Sequence, residues 1–321
     1  MRKGDKRVQR TDLAELAARY QVSIHTLRNY IRAGKLTQHG AGKAAQVEDE
    51  EIAALFAPKP TAPSRRIFAI CNHKGGVGKT TSAAALGWFL SRRARTLMID
   101  ADPQGHLTQV YGFDSDRLER TLYEVLVKSL PLQDAILPVP LENAPEGYDP
   151  TMLCLVGSNL ELAETTLQVT GRPWWVKLLR NALRPVQEDF QYIVIDCPPS
   201  LDALTVNAIA AATDIIVPVD MGAFSLRGTV KLLESLRHVS EELPNPPVVR
   251  FLATRIEPNQ FTEDILDQLW RNYEGRVLNT VIRKAVDVGR AQMYRSPLPL
   301  LFPNNMSTHD YAALTRELLN E

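Results

Sequence analysis

The stretch Phe68-Ala69-Ile70-Cys71-Asn72-His73-Lys74-Gly75-Gly76-Val77-Gly78-Lys79-Thr80-Thr81 decides the fold of this 321-residue chain. An apolar, β-prone run ends in a glycine-rich turn, and helix-forming residues follow from Ser82 to Leu90. A strand, a G-x-x-x-x-G-K-[ST]-like loop and a helix in this order indicate a phosphate-binding loop. The glycines let backbone N–H groups turn toward phosphate oxygens, and the helix N-terminus adds a partial positive charge. We expect Lys79 to reach the β- and γ-phosphates of ATP and Thr80 to offer its hydroxyl to Mg²⁺.

A second lysine, Lys74, opens this loop and is followed at once by two glycines. The loop resembles the K-G-G-x-G-K-[ST] motif of the ParA/MinD family of ATPases. The resemblance implies that Lys74 reaches across a dimer interface to the partner's nucleotide and takes part in catalysis with Lys79. The predicted nucleotide-binding residues are Lys74, Gly75, Gly76, Val77, Gly78, Lys79, Thr80 and Thr81.

Two further strand-like runs end in carboxylates. Residues 95–99 run into Asp100-Ala101-Asp102-Pro103-Gln104-Gly105, and Tyr192-Ile193-Val194-Ile195 runs into Asp196. Carboxylates at the ends of strands beside a phosphate-binding loop are placed to hold Mg²⁺, so we predict Asp196 as a magnesium ligand and Asp100 as a magnesium-shell or structural group. The first segment resembles the D-x-D-P-Q-G-[NH]-x-[ST] motif of the same family, which implies that Asp102 orients the hydrolytic water.

Composition narrows the class of protein further. Lys plus Arg and Asp plus Glu each number 37, so the net charge of zero identifies no partner and any basic surface must be local. Cys71, Cys154 and Cys197 show no C-x-x-C pairing, which favours buried, reduced thiols and argues against an electron-transfer role. No apolar run reaches membrane-spanning length and the N-terminus lacks a signal-peptide core, so we expect a cytoplasmic protein without membrane association.

Residues 1–57 read as a small helical module ahead of a proline-rich linker at 58–64. Thr11 or Asp12 caps a first helix, Ser23 caps a second, and Gly34 ends it. The spacing of apolar residues matches a helix-turn-helix, although Gln21 replaces the usual turn glycine. The second helix also resembles that of MerR-type winged-helix domains, which implies a wing over 39–46. The alternative is a three-helix interaction or dimerisation module.

DNA contacts are predicted in two places. Residues 1–43 carry ten Lys and Arg against three Asp and Glu, which suits phosphate contacts beside a helix in the major groove. The predicted base readers at the start of the second helix are His25, Thr26, Arg28 and Asn29. Resemblance to ParA proteins implies a second, non-specific DNA surface, for which we predict Arg283, Lys284 and Arg290, although Asn259 and Asp287 stand where relatives often carry arginines. An ordinary solvated basic face is the alternative there.

The fold predicted for residues 65–321 is a doubly wound, mostly parallel α/β sheet of the P-loop ATPase type, joined to the small all-α (winged) module. Strands are expected also at 152–156, 214–219, 248–254 and 277–282, with helices at 174–188 and 262–272 among others. The segment Phe224-Ser225-Leu226-Arg227-Gly228-Thr229 resembles a further family motif leading into a helix.

The resemblance implies a DNA-segregation ATPase of plasmid or chromosome partition. Such proteins form an ATP-dependent sandwich dimer on the nucleoid, a ParB-type partner stimulates their slow hydrolysis, and the helix-turn-helix represses their own operon. Two alternatives stay open: a transcriptional regulator that uses the ATPase domain as a dimerisation switch, and a cargo-positioning ATPase for a non-DNA assembly.

Overall fold

A computed structural model describes residues 10–40, 42, 45–56, 65–141, 144–221, 233–234, 236–237, 239, 241 and 243–319. The predicted linker at 58–64 and the predicted motif at 224–229 lie outside the described residues.

The N-terminal module contains β1 (Arg10–Asp12), α1 (Leu13–Arg19), α2 (Ile24–Arg32), β2 (Gln46–Glu48) and α3 (Asp49–Phe56). Asp12 and Ser23 cap the first two helices with their side chains, as predicted, and Gly34 follows α2 with a φ of 66°. Gln21 adopts the positive φ (54°) that a turn glycine would take. The antiparallel pair β1–β2 adds a small sheet to the predicted all-α module. The sequence did not predict these two strands, because a three-residue strand is too short to show an alternation of apolar and polar residues.

The rest of the described chain is built on a seven-stranded sheet with the order β5-β6-β4-β7-β3-β8-β9. All neighbouring strands are parallel except β5 and β6. The strands are β3 (Arg66–Ile70), β4 (Thr96–Asp100), β5 (Leu137–Pro138), β6 (Leu153–Val156), β7 (Tyr192–Asp196), β8 (Asp214–Asp220) and β9 (Val248–Thr254). Continuous apolar burial along the central strands follows from helices covering both faces of the sheet.

The α-helices with defined bounds in the described part of this domain are α4 (Lys79–Ser91), α5 (His106–Val110), α6 (Leu122–Val127), α7 (Thr165–Val169), α8 (Leu178–Leu183), α9 (Ala203–Ala211), α10 (Gln260–Asn272), α11 (Asp287–Met293), α12 (Leu298–Leu301) and α13 (Met306–Leu319). One buried cluster joins the sheet to α6, α8, α9 and α10, and a second joins its other face to α4 and α13. A Cβ at Gly87 would lie 2.1 Å from the Met98 sulfur, so glycine lets α4 approach β4 closely. The predicted doubly wound architecture is confirmed.

Two predicted elements differ from the structure. Residues 277–282 form no strand; Val277 makes a single isolated bridge to Phe251. The helix predicted at 174–188 is broken into a 3₁₀ turn at Trp175–Lys177, α8, and a second turn at Gln187–Asp189. As predicted, Cys71, Cys154 and Cys197 are buried and unpaired. Within the described residues, no helix is both long and apolar enough to cross a bilayer.

Candidate nucleotide-binding site

The carboxyl ends of β3, β7 and β4 bring the predicted site residues together. The register pairs Asp196 with Ile70 on one side and with Asp100 on the other. The loop that follows Ile70 therefore lies beside both carboxylates. This edge of a parallel sheet, where neighbouring loops diverge, is the usual place for a ligand in such folds.

The glycine-rich loop is shaped to expose its backbone amides. Gly76 and Gly78 have φ values of 71° and 92°, in the left-handed region that glycine adopts without strain. Gly78 is the N-cap of α4 and offers no side chain to its amides, which remain available to an anion. This part of the site matches the phosphate-binding loop that the spacing predicted.

Residues far away in sequence hold the loop in place. The Thr254 hydroxyl donates to the Val77 carbonyl at 2.9 Å, and Arg255 donates to the Gly76 carbonyl at 2.9 Å. Asn72 donates to the Pro218 carbonyl and accepts from the Lys74 amide at 3.1 Å. Sequence reasoning missed these roles of Asn72, Thr254 and Arg255, since only the order of the strands brings them to the loop.

Lys79 lies within the loop and is buried. Its ammonium donates to the Lys74 carbonyl at 3.2 Å. Burial lowers the pKa of this ammonium, while the charges of Asp196 and Asp102 act in the opposite direction. A cation that is largely removed from water in this way favours an anionic ligand such as phosphate.

Asp196 is fully buried, and neither of its carboxylate oxygens makes a hydrogen bond of good geometry within the described residues, although the Thr80 hydroxyl is near enough to interact with the carboxylate. Burial, and next the neighbouring Asp100, hold the pKa of this carboxyl well above its ordinary value, while the Thr80 hydroxyl favours the ionised form. Two unsatisfied oxygens beside a hydroxyl fit a hard cation such as Mg²⁺. Thr80 and Asp196 are therefore the side chains best suited to hold that ion.

Asp100 and Asp102 differ in their surroundings. One Asp100 oxygen accepts from the Asp102 amide at 3.2 Å, and the other accepts from the amide and hydroxyl of Thr108 at 2.8 and 2.7 Å. Burial raises the pKa of Asp100 to about 7 despite these bonds. Asp100 thus shapes the loop that carries Asp102, which favours the structural role over the magnesium role among the two predicted for it.

Thr108 and Ser158 complete this support. The Ser158 hydroxyl donates to the Asp102 carbonyl at 2.7 Å, and its amide donates to the Thr108 hydroxyl at 3.0 Å. Both side chains are fully buried. The sequence predicted a strand at 152–156 but no role for Ser158, and its place just after that strand was the available signal.

A cavity of about 550 Å³ opens above these residues. Its walls include the glycine-rich loop, Asp102, Pro199, Tyr311 and residues 282–285. Arg283 lies in this wall and makes a bidentate ion pair with the buried Asp310, with contacts of 2.7 to 3.2 Å. The volume suits a nucleotide.

Lys74 lies at the rim of the site rather than inside it. Its ammonium contacts both carboxylate oxygens of Asp220, the last residue of β8, at 2.8 Å. The Lys74 side chain is 45% exposed.

The three cations predicted to bind DNA non-specifically are each paired with an acid. Arg283 contacts Asp310 as described, Lys284 contacts Glu257 at 2.5 Å, and Arg290 contacts Asp287 at 3.1 Å. Arg283 and Lys284 both line the nucleotide cavity. The side chains of Lys284 and Arg290 are largely exposed. Their role in DNA binding stays a prediction.

The predicted base readers of the module lie against the ATPase domain. Thr26 and Asn29 are fully buried there, and Arg28 is paired with Glu263 of α10 at 3.1 Å. Burial lowers the pKa of the His25 imidazole, and the charge of Glu263 opposes that shift. In this arrangement, the side chains that a DNA-bound helix-turn-helix would use are held by protein.

The fold and the site together define a P-loop ATPase, and comparison with known proteins agrees. Residues 65–248 match the family described as AAA domain. The chain is 31% identical over 256 residues to the sporulation initiation inhibitor protein Soj of Bacillus subtilis, covering 79% of this chain and 98% of Soj. It is 33% identical over 262 residues to the chromosome partitioning protein ParA of Caulobacter vibrioides, covering 79% and 94%. The chain belongs to the ParA/Soj family of ATPases.

A solved structure gives the same fold. A crystal structure of cobyrinic acid a,c-diamide synthase from Mycobacterium smegmatis with bound ADP and magnesium is similar to this chain with a TM-score of 0.68 and 29% identity. The similarity covers 79% of this chain and 94% of that one. The N-terminal module lies ahead of the region matched by the AAA domain family, which begins at residue 65.

Proposed function

We propose that this protein is a DNA-segregation ATPase. It closes as an ATP-bound dimer on DNA, and a ParB-type partner stimulates hydrolysis and release. Kinship with the chromosome partitioning protein ParA of Caulobacter vibrioides supports this role. The N-terminal module would repress the protein's own operon, and the protein would associate with the nucleoid.

The arrangement of Lys79, Asp196 and Lys74 carries the proposal. Lys79 and the amides at the start of α4 would stabilise charge on the transferring phosphoryl group, and Asp102 would orient the attacking water. Thr80 and Asp196 would hold Mg²⁺, which would supply positive charge to offset the charge of the bound phosphates. Lys74 lies outside this cluster at the rim, which suits contact with a partner's nucleotide better than with its own. Turnover by the isolated chain would therefore be slow.

Two lysine variants test this division of roles. Lys79→Ala should abolish ATP binding, because it removes the buried cation of the phosphate site. Lys74→Ala should retain most nucleotide binding by the monomer but lose dimers formed with a non-hydrolysable ATP analogue, measured by light scattering. Unchanged nucleotide affinity in Lys79→Ala, or normal dimers in Lys74→Ala, would contradict the proposed site.

A second candidate function is a transcriptional regulator in which the ATPase domain acts as a dimerisation switch. The burial of Thr26 and Asn29 against that domain favours it, since the module's availability then depends on the ATPase domain. Asp102→Ala separates the two candidates. Partition requires repeated cycles of hydrolysis and should fail in this variant, whereas a pure switch would still repress. Plasmid retention and operon repression measured in the same cells would give the answer.

A further inference from the structure

Helix α2 is attached to the ATPase domain by buried polar contacts. The Asn29 amide donates to the Asn279 carbonyl at 3.0 Å, and the Thr26 hydroxyl accepts from the Val281 amide at 3.3 Å. Both module residues have no exposed surface. These contacts satisfy backbone groups of Asn279 and Val281, in the middle of the segment 277–282 that was predicted as a strand and bonds to β9 only near its ends.

Charged pairs border these contacts on the exposed side. Arg28 contacts Glu263 at 3.1 Å, and Arg32 contacts Asp267, one turn further along α10. The two pairs have the same four-residue spacing on both helices, so α2 and α10 present complementary charges to each other. Arginines of this kind on a helix-turn-helix would otherwise be free to contact DNA phosphates.

Helix α3 of the module is attached to the ATPase domain as well. The guanidinium of Arg316 in α13 lies 5.3 Å from the centre of the Phe56 ring, and Ala313 belongs to the buried cluster of the module. Helix α13 also contributes Tyr311 to the wall of the nucleotide cavity. One helix therefore contacts both the module and the cavity.

The interface is imperfectly satisfied, which suits a contact that opens. Among the described residues, the side-chain oxygens of Asn29, Asn279 and Thr280 are buried there without a hydrogen-bond partner. A buried polar atom without a partner is less stable than the same atom in contact with water. These unpartnered atoms offset part of the free energy gained by docking. The docked state is therefore more stable than the open state by less than its contacts suggest.

We propose that the ATPase domain masks the DNA-reading face of the module, and that α2 must leave α10 and residues 279–281 before the module binds DNA. The proposal rests on the proposed DNA-binding function of the module. Thr26, Arg28 and Asn29 cannot contact a base edge while they contact Val281, Glu263 and Asn279. DNA and the ATPase domain compete for one surface.

Charge reversal on α10 tests the masking in the full-length chain. Asp267→Lys and Glu263→Lys each replace an attraction to α2 by a repulsion, without changing the module or the nucleotide site. We expect hydrogen exchange of the α2 amides to accelerate about tenfold. Affinity for a labelled duplex with the DNA upstream of the protein's own coding sequence should rise about tenfold beyond that of the control. The control is Asp264→Lys, which makes the same charge change at an exposed position of α10.

Restoring the attraction should restore the masking. The charge-swapped variant Arg32→Asp with Asp267→Arg keeps the net charge and should return α2 exchange to the wild-type rate. Unchanged α2 exchange in the double variant Glu263→Lys with Asp267→Lys would overturn the docking. Faster exchange with a DNA affinity equal to that of Asp264→Lys would overturn the competition. If the wild type formed no ATP-dependent dimers, the proposed partition cycle would be refuted instead. The docking test would still stand, because α2 hydrogen exchange is measured without nucleotide or DNA.

Discussion

The ammonium of Lys74 is held within its own chain by both carboxylate oxygens of Asp220. Glycine spacing in the sequence was enough to single out Lys74. It gave no indication of Asp220, because the two residues are 146 positions apart and meet only through the order of β3 and β8. If Lys74 acts on a partner's nucleotide, this ion pair competes with that action.

Asp220→Asn should therefore favour the dimer. Neutralising the carboxylate weakens an attraction that is worth about 0–1 kcal/mol for a pair with a largely exposed lysine, so we expect up to about fivefold tighter ATP-dependent dimerisation. Sedimentation with a non-hydrolysable ATP analogue would measure it. Glu15→Gln, which removes an exposed carboxylate paired with Arg19, is the matched control. Weaker dimers in Asp220→Asn would mean that Asp220 takes part in the closed state.

For the carboxylates of the site, too, the sequence predicts positions but not the contacts made with residues distant in sequence. The positions of Asp100, Asp102 and Asp196 at strand ends could be predicted from the sequence. Their different roles could not, because these depend on Thr108, which donates to one oxygen of Asp100, and on Ser158, which donates to the Asp102 carbonyl. Only Asp196 has both carboxylate oxygens buried and without partners in the described part of the chain.

At the scale of elements, the sequence pattern predicted strands correctly where apolar residues are buried without interruption, and incorrectly where polar residues interrupt them. The central strands and the capped helices of the module agree with the sequence, since apolar runs and Ser or Asp caps act locally. Residues 277–282 include the polar Asn279 and Thr280 and bond to β9 only near their ends, through the amides of Leu278 and Ile282. Residues 279–281 between them bond to α2 and Glu317 instead. The short strand β5 was missed because Leu137–Pro138 lies in a proline-rich connection.

The Asp214 carboxylate links three strands at the end of the sheet opposite the nucleotide-binding site. Asp214 at the start of β8 contacts Arg66 of β3 at 2.5 Å and Arg250 of β9 at 2.6 Å, and its side chain is 6% exposed. Asp214→Asn leaves two arginines facing a neutral group in a partly buried position. We expect a loss of about 2–4 kcal/mol in the free energy of unfolding, measured by denaturant titration.

Glu188→Gln is the control for Asp214→Asn, since Glu188 pairs with Arg65 at 2.6 Å while 75% exposed and should cost less than about 1 kcal/mol. The pH dependence gives a second check. Burial raises the pKa of Asp214. The hydrogen bonds and the charge of Arg66 outweigh burial, together with smaller effects, and hold the pKa below its ordinary value of 3.8. The Asp214 ion pairs therefore stabilise the folded state fully above about pH 4, and this stabilisation is lost as the pH falls through the lower pKa that Asp214 has in the folded state. A stability difference that persisted at lower pH would contradict this assignment.

At the scale of the whole molecule, no local pattern predicts the docking of the module. The net charge of zero hides a basic N-terminal region, and the acids that meet it, Glu263 and Asp267, lie more than 230 residues away. The helix-turn-helix pattern correctly gave the helices and the buried apolar residues of the module. It could not reveal that Thr26 and Asn29 contact protein, because the same residue types suit DNA.

The docked face and the nucleotide cavity share one stretch of chain, so binding at one should affect the other. Residues 279–281 contact α2, and residues 282–285 line the cavity directly after them. If nucleotide binding shifts this stretch, then undocking must change nucleotide affinity, and nucleotide must change docking by the same factor. We expect Asp267→Lys to alter the Kd of a non-hydrolysable ATP analogue about fivefold in calorimetry, while Asp264→Lys leaves it unchanged. In the wild type the analogue should change α2 hydrogen exchange by a comparable factor, and in Lys79→Ala it should have no effect. An unaltered Kd in Asp267→Lys, together with faster α2 exchange, would show that the module opens independently of the nucleotide site.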